Sequence, residues 1–116
     1  MKHLFNVEGK VAIVTGGSRG IGKMIARGFV ENGAKTYITA RTRETCATTA
    51  EVLSQYGDCI AIPADLSTLE GIKQFVKTFT DKEEKLDILV NNAGYMKARQ
   101  EYKTLSDALE QFGESD

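Results

Sequence analysis

The chain has 116 residues, of which 41% are hydrophobic, 27% charged and 8% aromatic, with one proline and no tryptophan. Fifteen basic side chains face sixteen acidic ones, a net charge of −1, so there is no basic stripe to follow a nucleic acid. The length fits one compact domain, and no apolar run approaches the roughly 18 residues that a membrane span needs.

The opening residues, Met1 to Asn6, carry no apolar block of the kind that directs secretion. Cys46 and Cys59 match no metal-ligand spacing, and the expectation is a reduced, cytoplasmic chain. His3 is the single histidine, which excludes His-based triads and multi-His metal sites within these residues.

Val11-Ala12-Ile13-Val14-Thr15 is a short β-branched run that stops at glycines and predicts a buried strand. Ile21, Met24, Ile25, Gly28 and Phe29 follow at helical spacing, and Asn32-Gly33 predicts the end of that helix. Thr36 to Thr39 predicts a second strand. Thr45 to Tyr56 reads as a helix with Cys46, Thr49, Ala50 and Leu53 on one side, closed by Gly57. Cys59 to Ile62 is a third strand, and Pro63 follows it. Ser67-Thr68-Leu69-Glu70 has capping-box spacing, with Leu69, Ile72, Phe75, Val76 and Phe79 as the apolar side of the helix it opens. Asp87 to Val90 is a fourth strand running into Asn91-Asn92-Ala93-Gly94. In the remainder, Leu105, Ala108, Leu109 and Phe112 fall at helical spacing.

Strand–helix alternation with short turns predicts an α/β fold, a doubly wound parallel sheet of about four strands with helices on both faces. It is Rossmann-like but partial, because the complete fold joins two such halves. Residues 1–94 are expected to form one such half, and residues 95–116 an atypical helical tail. Ile88, Leu89 and Val90 are expected at an uncovered sheet edge, which predicts marginal stability for the isolated chain.

The most informative segment is Gly16-Gly17-Ser18-Arg19-Gly20-Ile21-Gly22, between the first strand and first helix. Glycine lets a backbone bend sharply and approach a phosphate, and a helix N-terminus offers it amides and partial positive charge. The bland alternative is a tight turn with no ligand. The G-x-G-x-x-G spacing fails here. A P-loop fits at Gly17, Gly22 and Lys23, but Met24 occupies the slot of the metal-binding hydroxyl.

Thr-Gly-x-x-x-Gly-x-Gly fits from Thr15 to Gly22, with Asp65-Leu66 after the third strand and Asn91-Asn92-Ala93-Gly94 after the fourth. On these three motifs, in order and each at a strand's C-terminal end, residues 4 to 94 resemble the N-terminal half of the short-chain dehydrogenase/reductase family. Gly-Ser-Arg-Gly-Ile-Gly, Tyr-Gly-Asp-Cys and Ile-Pro-Ala-Asp-Leu-Ser look most like its beta-ketoacyl-acyl-carrier-protein reductases of the rhamnolipid-associated type.

The resemblance implies that Asp65 accepts from an adenine amino group, Leu66 packs on that ring, and Asn92, Ala93 and Gly94 lie close to a ribose. Two other roles stay open: Asp65 as an acid at the start of the next helix, and the asparagines as bridges between strands. Ser18 either donates to a phosphate or closes the loop. An NAD site needs an acid at the tip of the second strand, but that strand ends Thr39-Ala40-Arg41. Arg41 from one side and Arg19 from the other offer guanidinium donors for a 2′-phosphate, so NADP is the expected cofactor. Arg43 is a weaker third candidate.

The family's proton donor is a Tyr with a Lys four residues later, assisted by a Ser and an Asn. Here Tyr37, Tyr56, Tyr95 and Tyr102 are followed at that spacing by Arg41, Ile60, Arg99 and Ser106, and no Asn follows Asn92. No catalytic residue is therefore assigned. The expectation is the NADP(H)-binding portion, a fragment or truncated product, of an oxidoreductase that reduces a ketone or 3-oxoacyl thioester and forms a homo-oligomer at full length. The alternatives are a non-catalytic nucleotide-binding protein or regulator and, third, a P-loop-like nucleotide hydrolase.

Overall fold

The computed structural model describes residues 6–92 and 99–110, the latter segment as backbone alone up to residue 104. The element order is β1 (Val11–Thr15), α1 (Gly20–Glu31), β2 (Lys35–Thr39), α2 (Arg43–Leu53), β3 (Cys59–Ala61), α3 (Leu69–Lys82), β4 (Ile88–Asn91) and α4 (Arg99–Glu110). The strands form one parallel sheet ordered β3-β2-β1-β4. The chain therefore steps outward from β1 through β2 to β3, then returns to the other side of β1.

That reversal puts the helices on opposite faces, because parallel crossovers keep one hand. Strand side chains alternate between two cores. On one face Ile13, Tyr37 and Ile62 pack with Ile72, Phe75 and Phe79 of α3 and with Leu105 and Leu109 of α4. On the other, Val14, Ile38 and Cys59 pack with Ala26 and Val30 of α1 and with Cys46, Ala50 and Leu53 of α2. No described helix is long and apolar enough to cross a membrane.

Three sequence expectations shift in register. The first helix does not bury Ile21 and Met24, which are 67% and 70% exposed; it buries Gly22, Ala26 and Val30. The glycine lets the helix lie so close to the loop before it that the inward stripe turns by one residue. In α3 the cap is Thr68, not Ser67: its Oγ1 accepts from the Gly71 amide at 3.0 Å, and Leu69 is left exposed. Ser67 is instead taken by Asp65, whose Oδ1 accepts from both the Ser67 amide and hydroxyl. The second helix starts two residues earlier than expected and ends three earlier, but its buried side is the expected Cys46, Thr49, Ala50 and Leu53.

The fourth strand lies at an edge of the sheet among the described strands, as expected, with Ile88, Leu89 and Val90 half-buried. Leu89 packs toward the α3/α4 core and Val90 toward the α1/α2 core. Both faces of β4 are thus partly covered, and it is one of the two edge strands among the described strands, β3 being the other. Ala108 is exposed, while Phe112 lies outside the described residues.

Opposite the loop end of the sheet, Glu83 closes α3 over the start of β2. Its Oε2 accepts from the Tyr37 hydroxyl and from Lys35 Nζ, both at 2.6 Å. The Tyr37 ring stands edge-on to Phe79 with centroids 5.0 Å apart. Burial opposes the charge on Glu83, but the bonds from Lys35 and Tyr37 and the nearby Lys85 hold its carboxyl below the usual range. A lowered folded-state value means stability that is present near neutrality and lost as pH falls through it. Glu83→Gln is expected to cost about 1–2 kcal/mol at pH 7 and to flatten the acid limb of a Tm-against-pH curve. An acid limb identical to that of the parent counts against this assignment.

Candidate cofactor-binding site

The loop ends of β1 and β4 meet where the sheet reverses direction, the position at which parallel α/β sheets open a crevice. Thr15 ties the two ends together. Its Oγ1 donates to Asn91 Oδ1 at 2.9 Å and accepts from the Asn92 amide at 2.8 Å. Asn92 Nδ2 reaches the Gly16 carbonyl at 3.5 Å. The strand-bridging role of the asparagines is therefore present in the fold. Ala93 and Gly94 lie outside the described residues.

From Thr15 the chain bends with Gly16 at φ +67°, and the Gly16 amide donates to the Thr39 carbonyl at 2.8 Å. Gly17 lies against Ile38, where a Cβ would come within 2.8 Å of Cγ2. Gly20 starts α1 at φ +62°, with open space where a side chain would project. A Cβ on Gly22 would overlap the Gly16 carbonyl oxygen. Two of these glycines thus serve packing, and Gly20 borders open space. Ile21, the next residue, is largely exposed.

The start of α1 differs from those of α2 and α3. Its N-cap, Arg19, is extended and makes no side-chain cap bond, and the first turn contains no acid. The N-cap of α2, Thr42, is likewise extended without a side-chain cap bond, but α2 has Glu44 in its first turn, and α3 has both the Thr68 cap and Glu70. Backbone amides without an acceptor among the described residues, at the positive end of a helix dipole and beside open space, form a donor set for an anion. A pyrophosphate matches that set in charge and hydrogen-bond sense.

A second group lines the rim one strand further out. The β2–β3 ladder continues past the strands through Ile62 to Ile38 and Ala64 to Ala40, which brings Arg41 and Asp65 to one edge. Both are exposed. The Ser67 hydroxyl and amide, and then the Arg41 charge, hold the Asp65 carboxyl below its ordinary range. Both Ser67 bonds use Oδ1 of Asp65. The neighbouring Leu66 is 3% exposed and belongs to the α3/α4 core. Arg43 is an exposed first residue of α2.

Sequence reasoning singled out no role for three threonines here. Thr15 is the clamp just described, legible only once its partners Asn91 and Asn92 are adjacent in space. Thr39, at the loop end of β2, is buried with no partner for its hydroxyl among the described residues. Thr49 is buried in α2 and donates to the Ser18 carbonyl at 3.0 Å. Among the described residues no cluster of His, Cys, Asp and Glu is arranged to hold a metal ion.

With this geometry, the profile of the short chain dehydrogenase family matches residues 10–112, and the chain belongs to that family. It is 54% identical over 94 residues to the rhamnolipids biosynthesis 3-oxoacyl-[acyl-carrier-protein] reductase of Pseudomonas aeruginosa, covering 81% of this chain and 37% of that protein. A 3-oxoacyl-[acyl-carrier-protein] reductase of Vibrio harveyi is 44% identical over 89 residues, 77% of this chain and 36% of that one. Among solved structures, the RhlG/NADP active-site complex of Pseudomonas aeruginosa superimposes with a TM-score of 0.87 at 44% identity, over 97% of this chain and 49% of that one. The L-sorbose reductase of Gluconobacter frateurii, complexed with NADPH and L-sorbose, gives 0.84 at 29% identity, over 93% and 49%. The chain thus spans between a third and a half of the length of the relatives it matches.

Proposed function

We propose that this chain binds NADP(H) across the loop ends of its sheet and is the cofactor-holding part of an oxidoreductase acting on a ketone or 3-oxoacyl thioester. The observation that carries the reading is the uncapped, acid-free start of α1 beside open space at the reversal of the sheet. The loop from Gly16 to Gly22 would hold the pyrophosphate through main-chain amides. Arg41 and Arg19 would take the adenosine 2′-phosphate, since Ala40 and Arg41 stand where a ribose-binding acid would repel it. Asp65 and Leu66 would border the place for the adenine, and Asn92 with its two neighbours the place for a ribose. The names of the superimposed NADP and NADPH complexes support this choice of cofactor.

When bound, a reduced nicotinamide supplies the hydride. The described residues bind and orient. None is assigned proton donation, since no Tyr-x-x-x-Lys spacing occurs in the sequence.

Fluorescence titration with NADPH, NADH and Mg-ATP tests the proposal. Saturable NADPH binding, at least tenfold tighter than NADH, is the expected result. Binding of Mg-ATP alone, or of none of the three by folded protein, overturns it.

A further inference from the structure

Thr49 has a chemistry that its place in the fold does not require. It lies in the buried stripe of α2 between Cys46 and Leu53, where an apolar side chain of its size would pack as well. Its hydroxyl instead crosses to the glycine loop, 31 residues earlier, and donates to the Ser18 carbonyl at 3.0 Å.

That bond fixes more than a carbonyl. No peptide bond among the described residues is cis, so the Ser18 C=O and the Arg19 N–H lie in one plane and point in opposite directions. Holding the carbonyl against α2 aims the Arg19 amide away from α2. It also sets where the extended Arg19, at φ −161° and ψ 167°, departs from the loop. Helix α2 begins two residues after Arg41. The helix that follows the rim arginine by two residues therefore latches the peptide of the loop arginine through its middle. No other hydrogen bond among the described residues joins α2 to the loop between β1 and α1.

We propose that Thr49 is a positioning residue for recognition of the adenosine 2′-phosphate, setting Arg19 relative to Arg41 through the Ser18–Arg19 peptide. The inference rests on the NADP(H) reading above. A phosphate held between two guanidinium groups is sensitive to their separation, whereas the rest of the dinucleotide is held by other amides of the loop. Losing the latch therefore affects the phosphorylated cofactor selectively.

The test compares NADPH and NADH dissociation constants for the full chain and three variants. Thr49→Val, which keeps the shape and removes the hydroxyl, is expected to weaken NADPH about five- to tenfold and NADH less than about twofold. Thr49→Ser, which keeps the hydroxyl, is expected to stay within about twofold of the parent for both. If the valine variant fails to fold, Thr49→Ala against Thr49→Ser isolates the hydroxyl in the same way. Equal losses for both cofactors would show that Thr49 only supports the fold, and unchanged NADPH binding would remove any role; either overturns the inference while the NADP(H) reading stands. A parent chain with no preference for NADPH overturns both.

Discussion

Gly22→Ala is expected to abolish measurable NADPH binding and to destabilise the chain, whereas Gly28→Ala, six residues along the same helix, is expected to stabilise it. Both glycines lie in α1, both are interior to it, and both would gain the same methyl group. Helix propensity alone favours alanine by about 0.5–1 kcal/mol at either position. At Gly28 nothing lies within 4 Å of the new carbon, so that gain is kept. At Gly22 the new carbon falls on the Gly16 carbonyl oxygen, with Asn92 Nδ2 2.5 Å away.

Backbone cannot rotate aside as a side chain can. Relief at Gly22 therefore requires α1 to lift from the loop, which also pulls on the Asn92 and Thr15 bonds joining β1 to β4. Overpacking of this kind costs about 1–3 kcal/mol or more. Displacing two or more charge-assisted amide contacts to phosphate costs at least about 3 kcal/mol of binding, or more than about a hundredfold in affinity. Thermal melts and NADPH titrations on the two variants give opposite signs if this account holds. A Gly22→Ala protein that binds and melts like the parent would show that the loop is not packed this tightly.

The same glycine explains what could and could not be read in the sequence. Strand positions were legible because a strand buried on both faces needs only a β-branched apolar run, and Val11–Thr15 is one. Helix existence was legible from apolar spacing and from breakers such as Asn32-Gly33, where Asn32 Nδ2 does bond the Gly28 carbonyl at 2.7 Å. The inward face of α1 was not, because hydrophobicity points to Ile21 and Met24 while close approach selects Gly22 and Ala26. Small residues carry no hydrophobic signal, yet they decide how near two backbones come.

The cap of α3 was misplaced for a related reason. Ser67 and Thr68 are both competent caps, and the choice falls to Asp65, which engages Ser67 in a tight turn and leaves Thr68 to the helix. At the site, glycines and arginines announce themselves by type and spacing. The threonines at 15, 39 and 49 do not, because a hydroxyl inside a strand or helix reads as propensity until its partner, tens of residues away, is known.

Arg41→Asp is expected to reverse the cofactor preference. Arg41 lies just beyond the buried Ala40 at the end of β2, on the same rim as Asp65, whose carboxyl its charge helps to hold ionised. With arginine present, the rim carries one cation beside one anion, and a 2′-phosphate can exchange places with the carboxylate as its partner. With aspartate, two carboxylates stand side by side and repel an incoming phosphate, leaving only Arg19 of the proposed pair to attract it. Loss of a charge-assisted contact is worth roughly 1.5–3 kcal/mol, or about ten- to a hundredfold in NADPH affinity. NADH presents hydroxyls instead, which an aspartate at this position can accept from, so its affinity is expected to hold or rise. The magnitude depends on salt, because the rim is exposed and its charges are screened over about 10 Å at 0.1 M. NADPH binding by the parent should therefore weaken as salt rises, while the aspartate variant's NADH binding should hardly respond. If both proteins lose NADPH affinity with salt along the same slope, the phosphate is held elsewhere, and Arg41 is only a surface charge.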